Sequence, residues 1–228
     1  MHPTPSHVAR PNTPASGDAP AAIAGSVMAR LKQETVELHH LAESHPFQRA
    51  MVSGSISRVQ YVRWLEQMLL VHRCLEGHLR RARSSEPDRC RAIDDSQYRE
   101  AALLEDIAHC GGNKAPQPLP GAAALIRDID QARNDTAALL GFHYVLEGST
   151  NGSKYIAAAL RMRLGLAEGP GTRYLDPYGD SQRARWKQFR QDMDSIGFSK
   201  SESDTMVKAA AQMFEGIRRI SDDLQVQS

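Results

Sequence analysis

From Ala22 almost to the end of the chain, apolar residues recur at the three- and four-residue spacing of helices, and the alternating Val, Ile and Thr runs that mark strands are nearly absent. That pattern restricts the chain to an all-α architecture in which amphipathic helices bury their apolar stripes on one another. The spacing predicts helices over about 22–44, 56–83, 94–111, 120–130, 133–165, 181–196 and 200–223. Ser55 and Ser199 each precede an apolar-periodic segment and read as start signals; Gly111-Gly112 reads as a stop. The stretch 166–180 holds Gly169, Pro170, Gly171, Pro177 and Gly179 and is expected to be loop.

Hydrophobic residues make up 41% of 228 residues, enough for one core. Residues 1–21 are rich in Pro, Ser and Ala and poor in large apolar groups. They bury too little to offset their ordering entropy and are expected to form a disordered tail, leaving 22–228 as a single helical domain. Lys plus Arg is 28 and Asp plus Glu is 27, so the charge balance favours neither a non-specific nucleic-acid partner nor a membrane surface. The three cysteines, Cys74, Cys90 and Cys110, have no short spacing and read as reduced thiols, not a disulfide framework or a zinc site. With no apolar stretch of signal-peptide type and no run of ~18 apolar residues, the expectation is a cytoplasmic protein.

Two segments carry the chemistry. In the first helix Leu31, Thr35, Leu38 and Ala42 share one narrow face. His39 lies roughly 70° from the centre of that stripe and His40 nearly opposite it, at ~100° per residue. An imidazole at the edge of a buried face is either a hydrogen-bonded boundary residue or an axial ligand for heme iron. The second segment is a long apolar helix holding Gly141, Gly148 and Gly152. Each interior glycine costs ~1 kcal/mol relative to alanine. On a helical wheel Gly141, Val145, Gly148, Gly152 and Ala159 fall on one face, which admits close approach by another helix or by a flat ligand such as a porphyrin. The Gly148–Gly152 cluster is also a candidate kink. Ser149, Thr150 and Asn151 flank it and are candidates for ordering water.

Taken together, the segments resemble one family. LKQETVELHHLAESHPFQRAM resembles the proximal helix of the biliverdin-producing heme oxygenases, where a Leu-Lys-x-x-Thr start precedes the axial histidine; that histidine corresponds to His39. YVLEGSTNGSKYI resembles the distal, glycine-kinked helix, and YLDPYGDSQRARWKQF the loop and helix that follow in bacterial members. The likeness spans roughly 25–223. It implies a single-domain heme-oxygenase-like bundle with heme, both cofactor and substrate, between the first helix and the kinked distal helix. It further implies oxygen-dependent ring opening to biliverdin with release of iron and carbon monoxide. Electrons would come from an external donor such as ferredoxin or a reductase, since no flavin or nicotinamide fingerprint appears. His39 is then the iron ligand, Gly148 and Gly152 the distal floor, and Ser149, Thr150 and Asn151 the water-orienting catalytic group. Lys32 matches a propionate-pairing position, with Lys154, Lys187 and Arg190 as looser candidates. Animal-type members often carry an aspartate where this chain has Ser149, and the paired glycines closing the motif appear here as Gly152-Ser153.

Four other readings stand beside this one. They are a heme carrier or sensor without turnover, a non-heme di-iron oxygenase using Glu105 and His109, a thiamin-degrading hydrolase using Cys74 or Cys110, and a helical interaction module without ligand.

Overall fold

A computed structural model describes residues 26–226; the expected tail over 1–21 lies outside them. The described residues form eight α-helices and two short 3-10 turns, with no strand among them. The helices are α1 (Val27–Ser44), α2 (Pro46–Ser53), α3 (Arg58–Ser85), α4 (Glu100–Cys110), α5 (Pro120–Gln131), α6 (Thr136–Leu164), α7 (Gln182–Ser195) and α8 (Lys200–Val226).

Local chemistry explains where these helices begin. Ser26 caps α1 by accepting from the Ala29 amide at 2.9 Å. The sequence spacing gives no helix at 46–53, yet α2 forms there. Pro46 presets the first turn, the His45 ring accepts from the Phe47 amide, and Gly54 ends the helix at φ 66°. The cap of α3 is Ser57 and not Ser55, because Ser57 makes a reciprocal capping box with Gln60. Ser199 does cap α8, exchanging bonds with Glu202. Expected as helix from 94, the chain instead makes a 3-10 turn at Asp95–Gln97 before α4 starts.

α8 is the spine, packing against α6, α5 and α1. Glycines let it come close. A Cβ on Gly141 of α6 would lie 2.3 Å from the Met206 carbonyl oxygen, and one on Gly121 of α5 2.7 Å from the Arg219–Ile220 backbone. Gly141 is therefore a helix-packing glycine, not part of a ligand floor. α1 is tied down at both ends. Its Met28 amide donates to Asp194 of α7 at 3.1 Å, Arg30 pairs with Asp204 of α8, and His45 meets Asp222 at 3.1 Å.

α6 runs unbroken through the glycine-rich segment. Ser149, Thr150, Asn151 and Ser153 each donate to the carbonyl three residues back, at 2.7, 2.6, 2.9 and 3.3 Å. Such back-bonding bends helices without ending them.

Gly141→Ala forces a methyl onto the α8 backbone. Overpacking of this kind costs ~1–3 kcal/mol, and Tm should drop by several degrees in thermal unfolding. Gly152→Ala, where no neighbouring atom lies within 4 Å, should leave Tm unchanged or raise it.

Candidate functional site

α6 changes character at its middle. Between Ala137 and Glu147 nearly every residue is buried, but Ser149, Gly152 and Tyr155 are exposed, Tyr155 by 68%. A helix at the centre of a bundle thus opens one strip to solvent, with bare backbone at Gly152. α1 opens a strip as well: Leu31 and Thr35 are buried, while His39 is half exposed. The two helices are bridged where the Thr35 side chain comes up to the Tyr144 hydroxyl, with the Thr35 hydroxyl itself donating to the Leu31 carbonyl at 2.7 Å. One turn beyond that bridge on α1 comes His39; one turn beyond it on α6 comes Gly148.

The His39 ring meets Phe214 of α8 edge-on, with centroids 5.8 Å apart, and its Nδ1 lies 3.5 Å from the Glu43 carboxylate. Nε2 has no partner among the described residues. The two glycines differ. Gly152 has open space where a Cβ would stand, whereas Gly148 is covered by the Trp186 ring of α7, 3.3 Å from that position. Trp186 stacks on Phe189 and leans on Tyr144.

Behind the strip lies a polar network that sequence reasoning missed. Glu147, immediately before Gly148, is 2% exposed and pairs with Arg99, itself 4% exposed, at 3.3 Å. Tyr178 donates to the other Glu147 oxygen at 2.8 Å and lies over the Arg99 guanidinium. Burial pushes the Glu147 carboxyl above the usual range, and Arg99 and Tyr178 only partly offset it. Glu76 accepts from the Arg99 amide at 2.6 Å and meets the His72 ring at 3.1 Å, while His72 Nε2 reaches the Tyr174 hydroxyl. Burial alone would raise Glu76, but His72, the Arg99 amide and Arg80 outweigh it and hold the carboxyl below its ordinary value. The readable signal was Glu147 itself: an acid inside an apolar helical run is buried, and a buried acid needs a basic partner.

A cavity of about 110 Å³ runs between α6 and α3, bordered by Trp64, His72, His143, Glu147, Thr150 and Tyr174. It has room for water but not for a macrocycle. Trp64 Nε1 is buried there without a protein partner among the described residues. The loop over the cavity is pinned by Asp106, whose carboxylate accepts from the Gly171, Arg173 and Tyr174 amides at 2.8, 3.1 and 2.8 Å.

The expected site residues do not all converge. Ser149, Thr150 and Asn151 turn their donors back onto α6, and Thr150 and Asn151 also receive the Gln182 amide. Lys32, Lys154, Lys187 and Arg190 are exposed. Lys32 precedes the Thr35–Tyr144 bridge by three residues, and the Arg190 charge is felt at Tyr144, so these two border the bridge. The Lys154 ammonium instead lies 5.3 Å from the centre of the neighbouring Tyr155 ring. Of the alternatives, Glu105 pairs with Arg173, and no cluster of three metal-donor side chains forms around it among the described residues. Cys74 does gain neighbours that the sequence did not suggest, Asp130 and His78, but burial and then Asp130 push its thiol up to about 12. Burial likewise raises Cys110. Neither is an activated nucleophile.

An all-helical bundle with this order of helices defines a class of folds found among known proteins. The family model described as heme oxygenase matches residues 26–223, and the chain belongs to that family. It is 23% identical over 210 residues to heme oxygenase 2 of Synechocystis, covering 86% of this chain and 82% of that protein. The structure of heme oxygenase from Leptospira interrogans is similar at TM-score 0.78 with 26% identity, covering 86% of this chain and 98% of that one. Synechocystis heme oxygenase-2 in complex with heme and NO is similar at TM-score 0.82 with 22% identity, covering 89% and 86%.

His143 supplies a pH test. Burial, then the Arg99 and His72 charges, depress its pKa to about 3 from 6.5. The folded state therefore binds fewer protons than the unfolded state between those values. The contribution is complete above pH 6.5 and is lost as pH falls towards 3, by up to ~1.4 kcal/mol per unit. Urea unfolding across that range should show His143→Gln losing less stability than wild type.

Proposed function

We propose that this chain is a biliverdin-producing heme oxygenase, with heme as substrate and cofactor and His39 as its axial ligand. The observation that carries the reading is a pairing. An exposed imidazole with Nε2 free among the described residues stands one turn past Thr35, and two turns past Tyr144, which Thr35 approaches, α6 opens its backbone at Gly152. The residues present fit heme. An imidazole Nε2 is an iron ligand, Gly152 leaves room for a planar macrocycle against α6, and Lys32 and Arg190 suit the propionates. Lys154 and Lys187 are weaker candidates, being placed by no contact with this region.

Bound heme supplies the iron at which dioxygen is activated and the ring that is opened, with electrons from a ferredoxin or reductase. The chain's part is positional. His39 would hold the macrocycle from the α1 side, and Gly152 would keep side chains off its other face, Gly148 being covered by Trp186. Gln182 and the α6 carbonyls hold Thr150 and Asn151 in place. Proton supply would fall to the cavity wall, where Glu147, held by Arg99 and Tyr178, is the buried acid, and Trp64 Nε1 and the Tyr174 hydroxyl border space for water.

A heme titration should give a histidine-ligated Soret spectrum at one equivalent in wild type, and turnover with ferredoxin or ascorbate should replace it with bilin absorbance. His39→Ala should lose that ligation and most ring opening. A wild-type spectrum in the variant would remove His39 from the site.

Glu147→Gln should slow ring opening per bound heme by about tenfold or more, since groups that deliver protons contribute roughly 10²–10⁴-fold. One observation favours a second reading, a heme carrier without turnover. Ser149 stands where animal-type members have aspartate, and its hydroxyl is committed to the Leu146 carbonyl. A Soret band that never bleaches to bilin in wild type would select that reading.

A further inference from the structure

Away from the glycine strip, α3 and α5 bring together three side chains of metal-ligating chemistry. Cys74 and His78, one turn apart on α3, face Asp130 near the end of α5. The Cys74 thiol donates to Asp130 Oδ1 at 3.3 Å, and His78 Nε2 lies 2.7 Å from the same oxygen. Sγ, Nε2 and the carboxylate oxygen all lie within 4.8 Å of one another. We propose that Cys74, His78 and Asp130 form a binding site for a borderline divalent cation of the zinc type, with water completing the tetrahedron.

The donor set argues for that chemistry. A thiolate, an imidazole and a carboxylate suit zinc and not magnesium or calcium, which take oxygen ligands. Zinc bonds of ~2.0–2.3 Å set ligand atoms roughly 3.2–3.8 Å apart, so each present spacing needs to change by only about an ångström or less. The helices supply rigidity: Cys74 and His78 share one face of α3, and α5 packs directly on it. His78 is 6% exposed and Asp130 is open to solvent, which leaves an entry path.

Two protons now occupy the place of the ion, one on Cys74 and one on His78 Nε2. Binding releases the thiol proton to solvent and moves the imidazole proton to Nδ1. Nδ1 at present accepts from Arg81, a surface side chain that must swing away. The charged groups facing the site are Asp130, Arg81 and Arg133. The thiolate is the ligating form, so proton and metal compete and affinity rises with pH.

The test is titration of the full, heme-free chain with Co²⁺ followed by Zn²⁺. One equivalent of Co²⁺ should produce thiolate-to-cobalt charge transfer in the near ultraviolet, removed by one equivalent of Zn²⁺. Cys74→Ser should lose the band and keep its far-ultraviolet circular dichroism and heme binding, while Cys90→Ser and Cys110→Ser retain the band. His78→Gln and Asp130→Asn should each weaken zinc binding by more than the ~10–100-fold that outer-shell substitutions cost, and Arg81→Ala should strengthen it. The proposal is overturned by the absence of a charge-transfer band at one equivalent, by a band that survives Cys74→Ser, or by wild-type zinc affinity in His78→Gln.

Discussion

The buried Arg99–Glu147 pair sets the rotation of α6 about its own axis, and the rest of the site follows from that rotation. An uncompensated carboxylate in the bundle interior costs several kcal/mol, so α6 is held with Glu147 turned towards Arg99 and Tyr178. At ~100° per residue, anchoring Glu147 inward turns Ser149 and Gly152 outward. Glu76 gives the arrangement its second tether, because it grips the Arg99 backbone while Glu147 grips the side chain.

Close backbone contact does the complementary work on the other side of α6. Gly141 brings α6 against α8, and α8 carries Phe214 to the His39 ring. α1 is pinned to α7 and α8 at its two ends, which leaves His39 between anchors with its ring at the surface. A glycine's value here depends on its neighbour. Gly141 is essential to packing, Gly148 lies under Trp186, and only Gly152 presents open backbone.

The loop after α6 supplies two tyrosines to the polar interior. Asp106 organises that loop by accepting three of its amides, and the loop carries Tyr174 and Tyr178 to the cavity and the ion pair. Burial raises the Asp106 carboxyl while the three amides work against it, a balance that ties loop order to the carboxylate form.

Read alone, the sequence determined the helical class, the loop at 166–180, the Ser199 cap and the edge position of His39, because these follow from periodicity and local capping within one or two turns of chain. It also singled out the glycine face of α6, but could not divide that face into a packing glycine, a covered glycine and an open one. It missed α2, whose start depends on one proline and a histidine cap, and it placed the α3 cap two residues early. Arg99, Glu76, Tyr178 and the Cys74–His78–Asp130 cluster were decided by tertiary structure alone. Their partners are separated by 23 to 56 residues, and only the packing of α3, α4, α5 and α6 brings them within hydrogen-bonding distance. Periodicity shows which way a side chain faces; which residue it meets depends on how the helices cross.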